Sequence, residues 1–317
     1  MKNKTIMVVG GAGFIGSHIV DHLIHLEANV IVYDNLSTGN PYYIKHQAEN
    51  IRFIKGDILE TAKLTKAMEG VAVVFHLAAN ADVRGGIENT RIDLEQNVLG
   101  THSVLEAMKN QQVRKIAFSS SATVYGEPDV FPTPENYELI QTSVYGASKL
   151  AGEAYIEAYC EYYDMQSFIF RFVSWIGERY SHGVIYDFVK KLQNNPNQLE
   201  ILGNGLQKKS YLYVKDGVTG IFKAMEVFKK KKNIFNLGHT DYIPVTDLAG
   251  IVIDEMGLKN VEFRFTGGDR GWIGDSPLVS LDVSKLNNNG WRAETSLEEG
   301  IRRTTRYLLD NPETLVR

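Results

Sequence analysis

The 317-residue chain has little that would tie it to an oxidising compartment, a membrane or a nucleic acid. Its single cysteine, Cys160, excludes an internal disulfide, and its place in a helical pattern reads as a packed thiol. The first apolar run, Thr5 to Val9, is too short for a signal-sequence core or a membrane helix, so a cytoplasmic protein with no membrane partner is expected. Charge of either sign is not in excess: 34 Lys and Arg against 38 Asp and Glu leave a net charge of -4, which argues against a broad nucleic-acid-binding surface. The one basic run, Lys229 to Lys232, precedes the strand-like Ile234, Phe235 and Leu237 and reads as a solvated helix end. No repeat, low-complexity tract or Pro/Ser-rich linker is visible, so a second domain would be folded against the first rather than tethered to it.

What is present is a rhythm of buried strands and amphipathic helices. Near-continuous apolar runs occur at Thr5 to Val9, Val30 to Tyr33, Ile51 to Ile54, Val71 to Phe75, Lys115 to Phe118 and Ser167 to Phe172. Between them, Ile15, Ile19, Leu23 and Leu26 fall on one helix face, and Val98 to Met108 behaves similarly. That alternation predicts an α/β fold with a doubly wound parallel sheet. After about Ser174 the rhythm breaks into scattered helices, such as 183–193 and 297–309, consistent with a smaller lobe over the carboxyl ends of the strands, where open α/β sheets bind ligands.

The first strand runs into Gly10-Gly11-Ala12-Gly13-Phe14-Ile15-Gly16 and then into a helix. Glycines at this spacing allow a tight turn and bring backbone amides close to a pyrophosphate at the helix N-terminus. Asp34 ends the next strand, eighteen positions after Gly16, where a carboxylate accepts ribose hydroxyls and repels a 2′-phosphate. NAD is therefore expected rather than NADP. Asp57-Ile58, after the third strand, is a candidate for the adenine edge.

Several segments carry a resemblance to a known family: GGAGFIGSH at Gly10 to His18, YDNLSTGN at Tyr33 to Asn40, HLAAN at His76 to Asn80, SSSATVYGE at Ser119 to Glu127, YGASK at Tyr145 to Lys149 and RGWIGDSP at Arg270 to Pro277. Together they resemble the extended short-chain dehydrogenase/reductases, and within them the bacterial and archaeal UDP-glucose 4-epimerases, over nearly the whole chain. The resemblance implies a Rossmann-type NAD domain over 1–173 with about 212–248, and a smaller α/β nucleotide-sugar lobe over 174–211 and about 249–317. It implies transient oxidation of a UDP-hexose at C4 and return of hydride to the other face. Tyr145 would take the proton from the sugar O4, Ser121 would hydrogen-bond that oxygen, and Lys149, four residues on along the helix Val144 to Tyr159, would also hold the nicotinamide ribose. A free tyrosine has a pKa near 10, so a base active near neutrality needs a drop of roughly three units, about 4 kcal/mol. Lys149 and the positive nicotinamide are expected to supply it.

By the same resemblance the cofactor would also meet Gly10, Gly13, Phe14, Ile15, Gly16, Asn35, Asp57, Ile58, Leu77, Ala78 and Ala79, with Asn97 supporting the site from a helix. Substrate contacts are expected from Asn80, Ser121, Thr123, Ser174, Gly203, Gln207, Lys209, Tyr211, Arg270, Asp275 and Val279. Arg84 fits either the hexose, a C6 carboxylate or a surface salt bridge. Two positions depart from the family: Lys209 stands where an Arg is usual, a point charge in place of a fork, and Ser174 stands where an Asn is usual. Val279 stands where a bulky aromatic would exclude a C2 N-acetyl group, so either N-acetylated hexoses are candidate substrates or Val279 simply packs in the core of the smaller lobe. His76 reads as a packed strand-end residue, and no histidine has partners at metal-ligand spacing, so no metal is expected. The helices Ile92 to Met108 and Val144 to Tyr163 match those that pair into a four-helix homodimer interface in the family.

Related chemistries are weighed by the residues beside Ser121. Hexose 4,6-dehydratases of the family carry an Asp-Glu pair where this chain has Ala122 and Thr123, which argues against dehydration. A UDP-glucuronate 4-epimerase, a net keto-sugar reductase consuming NADH and a non-catalytic NAD-sensing protein are the alternative readings. Proteins of the last kind usually lose the Tyr or the Lys, and both are present.

Overall fold

The computed structural model describes residues 1–315 and divides into two compact units. The first comprises 1–126, 138–171 and 221–235; the second comprises 127–137, 172–220 and 236–317.

The first unit is organised by strands β1 (Thr5–Val9), β2 (Asn29–Asp34), β3 (Ile51–Lys55), β4 (Val73–His76), β5 (Lys115–Ser121), β6 (Gln166–Phe172) and β7 (Lys232–Leu237). They form one sheet in the order β7-β6-β5-β4-β1-β2-β3. The pairings from β3 through β2, β1 and β4 to β5 are parallel, with registers such as Met7 opposite both Ile31 and Val74. The order reverses between β1 and β4, the switch point of a Rossmann sheet. Helices α1 (Phe14–His25), α2 (Thr61–Ala67), α3 (Gly100–Asn110) and α4 (Val144–Tyr163) connect the strands. One core layer joins Met7, Val9, Ile31 and Ile116 of the sheet to Val104, Leu105 and Met108 of α3 and to Ile156 and Cys160 of α4. β1 coincides with its apolar run and β4 starts two residues later than its run, at Val73, while β2 to β5 end one to three residues beyond theirs, at Asp34, Lys55, His76 and Ser121. The basic run lies between the helix Val214–Val227 and β7, with Lys232 opening the strand.

Ahead of α3 the helix is irregular. A short turn, Thr90–Asp93, passes into a π-helical segment, Leu94–Leu99, before α-geometry resumes at Gly100. Such wide turns are rare and tend to occur at functional sites.

The second unit is built from short strands and helices. Ser174–Ile176 pairs in parallel with Tyr211–Tyr213, and Leu278–Val279 pairs in parallel with Lys208–Lys209. Helices Val184–Asn194, Val245–Glu255 and Leu297–Asp310 pack around them. The segment 127–137 belongs here because of its backbone: Thr133 N donates to Ser280 O at 2.8 Å, Asp282 N donates to Thr133 O at 2.9 Å, and Asn236 Nδ2 reaches the same carbonyl at 2.8 Å. Among the described residues no helix is long and apolar enough to cross a membrane.

Candidate active site

The glycine loop folds as its spacing requires. Gly10 has φ +83°, and a Cβ there would stand 2.6 Å from Ala78 N; one on Gly16 would stand 2.1 Å from Gly10 O. Only hydrogen fits at either point, so the first turn of α1 sits directly on the loop. Gly13 caps α1 with no side-chain cap hydrogen bond, and a helix N-terminus of this kind receives an anion. Leu77 N and Ala78 N both donate to Val9 O at 2.9 Å, bringing the segment after β4 against Gly10.

Asp34 is buried at the end of β2. Its Oδ2 accepts from Ala12 N at 2.9 Å and its Oδ1 from Leu36 N at 2.8 Å, so it ties the glycine loop to the turn after β2. Burial raises its pKa, and the two amide bonds pull it back down. Each carboxylate oxygen retains a second lone pair for a hydroxyl. Asn35 donates to Asp57 Oδ2 at 2.8 Å, and the two residues line a groove of 320 Å³ with Lys55, Gly56, Glu60 and Lys63. Ile58 is different: its side chain lies in the core, close to where a Cβ on Gly100 would be, so only its backbone is available to a ligand. The residues present fit a dinucleotide with an unphosphorylated 2′-hydroxyl.

The polar cluster lies at the carboxyl end of β5 and on the first turns of α4. Ser143 caps α4 by accepting from Gly146 N at 3.0 Å. Tyr145 hydrogen-bonds Ser121, and Thr123 Oγ1 donates to Ser121 Oγ at 2.9 Å. Lys149 Nζ donates to Ser119 O at 3.0 Å and lies 5.8 Å from the centre of the Tyr145 ring. Burial pushes Lys149 down to about 8, with Asp93 and Glu153 pulling it back up. Tyr145 does not show the lowered pKa expected of it: burial and then the Asp93 charge push it up to about 12, against which the Ser121 hydrogen bond works downward.

Behind this cluster are two networks: the Glu153–Arg171 pair and Asp93 go beyond what is expected from the sequence, whereas Asn97 is expected to support the site. Glu153, one turn beyond Lys149, accepts from Arg171 Nε at 3.0 Å and Nη2 at 2.7 Å and from Ser120 Oγ, while Arg171 Nη1 reaches Tyr125 Oη at 2.9 Å. Both charged side chains are fully interior. Asn97 accepts from Asn80 N at 2.8 Å and donates to Ser148 Oγ at 2.8 Å, and Asp93 Oδ1 takes the Nδ2 groups of Asn80 and Asn97 at 2.9 and 3.1 Å. The spacing Tyr145, Lys149, Glu153 and the lone Arg171 inside an apolar strand were the available signals for the first. His76 is buried, with Nε2 3.0 Å from Thr101 Oγ1, and burial takes it down to about 3, as suits a neutral packed ring. Arg84 is exposed on the loop beyond Asn80, 4.0 Å from Asp82.

The second unit gathers most of the residues expected at the substrate. Ser174 stands opposite Tyr211 and Val279 opposite Lys209 in their pairings. Lys209 Nζ lies 2.5 Å from Asp275 Oδ1 and 4.8 Å from the centre of the Trp272 ring, and Gly271 N donates to Asp275 Oδ2 at 3.1 Å. Gly203, with φ +79°, has no room for a Cβ beside Gln207 Nε2, which donates to Leu202 O at 3.0 Å. Arg270 is engaged with Glu127, its Nη2 donating to Oε2 at 2.7 Å.

Comparison with known proteins gives a consistent result. Residues 6–238 match the NAD dependent epimerase/dehydratase family. A Methanocaldococcus jannaschii protein provisionally named a UDP-glucose 4-epimerase is 37% identical over 315 residues, 98% of this chain and 100% of that one. A human dTDP-D-glucose 4,6-dehydratase is 30% identical over 323 residues, 97% of this chain and 91% of that one. A crystal structure of a UDP-galactose 4-epimerase superposes with a TM-score of 0.88 at 37% identity, covering 97% of this chain and 99% of that one.

Proposed function

The chain belongs to the NAD dependent epimerase/dehydratase family, and from that membership we propose that it inverts C4 of a UDP-linked hexose, with Tyr145 as the acid–base group. The observation that carries this reading is the hydroxyl pair Ser121–Tyr145 beside the buried Lys149, followed at 122 and 123 by Ala and Thr rather than acids. Removing water from the sugar needs an acid and a base there; Thr123 instead spends its hydroxyl on Ser121.

The glycine loop, Asp34, Asn35, Asp57 and the Leu77 to Ala79 segment would hold NAD, with Lys149 toward its nicotinamide ribose. Bound NAD supplies a reversible hydride acceptor for C4 and a positive charge near Tyr145. Burial and the Asp93 charge push the phenol up to about 12, and the positive charge that NAD would supply there works in the opposite direction. Ser121 then orients O4 toward Tyr145, which takes the proton and later returns it. Lys209, Tyr211, Gln207, Arg270 and Asp275 serve the nucleotide diphosphate. The pair Arg270–Glu127 is half-exposed, so exchanging the carboxylate for a phosphate costs little. Val279 is half-buried rather than part of the core, in keeping with a pocket wall that admits both plain and N-acetylated hexoses. Leu94 and Leu99 together with Tyr155 and Tyr162 of α4 are exposed on the helices expected to form a homodimer, and covering them is the role we assign to a second copy.

The test is incubation of the purified protein with UDP-glucose, UDP-galactose, their N-acetylated forms and UDP-glucuronate, followed by NMR of the products. C4 epimers at constant NADH absorbance are expected. A 4-keto-6-deoxy product, or stoichiometric consumption of NADH, overturns the reading.

A further inference from the structure

Asp93 is a fully buried carboxylate beside the reacting cluster for which the proposed chemistry has no step. It closes the turn Thr90–Asp93 just before the π-helical segment. Its Oδ1 makes all the visible contacts, accepting from Asn80 Nδ2 at 2.9 Å and Asn97 Nδ2 at 3.1 Å. From there the hydrogen bonds continue through Asn97 Nδ2 to Ser148 Oγ at 2.8 Å and through Ser148 Oγ to Tyr145 O at 2.7 Å. Asp93 thus anchors the loop after β4 to the first turn of the helix that carries Tyr145.

An anchor of this kind needs one acceptor oxygen, which a neutral Asn would provide equally well. The carboxylate brings a second oxygen and a charge. Among the described residues Oδ2 has no hydrogen-bond partner, although it is shut in: a Cβ on Gly86 would stand 2.7 Å from it. Burying a half-satisfied carboxylate opposes stability, and such groups concentrate where their charge has a use. The charges that meet it are few. Lys149 and the Tyr145 phenol face it from α4, and Asp82 faces it from the loop after β4. On its own turn Arg91 is engaged at the surface with Glu95 at 2.6 Å, and Arg84 lies 4.0 Å from Asp82. Glu153 acts on Lys149 from the other side, and His76, also near that lysine, is neutral.

We propose that Asp93 is a positioning residue that also acts electrostatically. Through its charge it holds Lys149 as the ammonium and Tyr145 as the neutral phenol at rest, while Oδ1 fixes the loop that approaches them. The proposal rests on the reading of Tyr145 and Lys149 as the acid–base pair. Both effects have the same sign on a pH axis. An anion stabilises a neighbouring ammonium and disfavours a neighbouring phenolate, so Asp93 raises both pKa values, opposing burial at Lys149 and adding to it at Tyr145. Its removal lowers both.

The variant that isolates the charge is Asp93→Asn in the full-length, NAD-saturated protein, because Asn keeps the acceptor. Tyr145 is titrated by tyrosinate absorbance, taken as the difference between each protein and the same protein carrying Tyr145→Phe. The Tyr145 midpoint is expected to fall by about half a pH unit or more, and both limbs of the kcat profile with UDP-hexose are expected to move to lower pH. A fall in kcat with unmoved limbs and an unmoved Tyr145 midpoint would mean a purely structural anchor and would overturn the proposal. Should Asp93→Asn fail to fold, carbon-13 NMR of the wild-type Asp93 carboxyl decides: ionised throughout the active pH range supports the proposal, protonated at neutral pH overturns it. The two failures are separable. Normal turnover by Tyr145→Phe removes the reading of Tyr145 as the base, whereas an unmoved midpoint removes only the electrostatic role of Asp93.

Discussion

The cluster around Tyr145 and the cluster around Lys209 solve opposite problems with similar residues. In the first, every charge is interior: Glu153 and Arg171 are 4% and 3% exposed and Lys149 is 3% exposed. In the second, Arg270 and Glu127 are 44% and 34% exposed, and Lys209 is 20% exposed beside its buried Asp275. Interior charges cannot change partners without a large penalty, so the first cluster keeps one geometry. Half-exposed cations carrying acidic neighbours can release them to a phosphate, so the second is suited to binding and letting go.

The sharpest way to break that contrast is to remove one interior partner. Glu153→Ala leaves the Arg171 guanidinium buried without its carboxylate and is expected to cost about 3–5 kcal/mol in denaturant unfolding. Glu127→Ala, at the exposed pair, is expected to cost at most about 1 kcal/mol; comparable losses for the two would erase the distinction. Next in size, Tyr145→Phe is expected to lower turnover at least about a hundredfold with NAD retained, measured by product NMR and cofactor titration. A third effect separates the regions by acid. His76, 0% exposed, is held neutral down to about 3, whereas an ordinary histidine titrates near 6.5. Between those values the unfolded chain binds the extra proton, so stability is full above about 6.5 and falls as the pH drops toward 3, by up to about 1.4 kcal/mol per unit. His76→Asn is expected to flatten that slope in urea titrations at several pH values. The smallest effect is one of selectivity: Val279→Tyr is expected to suppress N-acetylated UDP-hexoses while sparing the plain ones, because a ring and an acetamide cannot share a close-packed wall. Equal slowing of all substrates would return Val279 to a packing role.

The two regions also differ in how plainly the sequence announces them. Buried parallel strands are apolar along most of their length, so β1, β2, β4, β5 and β6 stand out as runs, whereas the edge strand β3 has no buried residue, and a glycine loop between strand and helix has few other uses. Tyr145 and Lys149 share a helix face by spacing alone. The supports of that site are harder to see, since Glu153 on a helix looks like any solvated glutamate until Arg171 of β6 is placed opposite it. Asn97 was legible by the resemblance, but Asp93 is a lone polar letter, and the π-helical turn that sets the two together has no periodicity to betray it. On the substrate side the residues lie in turns and two-residue strands, where pairing partners such as Lys209 with Asp275 are set by long-range folding, 66 positions apart.

The excursion of 127–137 into the second unit bears on how the polypeptide is made. The boundary between units is crossed after residues 126, 137, 171, 220 and 235, so neither unit is a contiguous stretch of message. Ser121 and Tyr145 flank the first excursion, whose Thr133 finds its backbone partners at Ser280 and Asp282, about 150 residues further on. The pairing of the segment between Ser121 and Tyr145 is therefore completed only when Ser280 and Asp282 are present. Truncation after residue 173 would leave Thr133 without Ser280 and Asp282 and the sheet without β7.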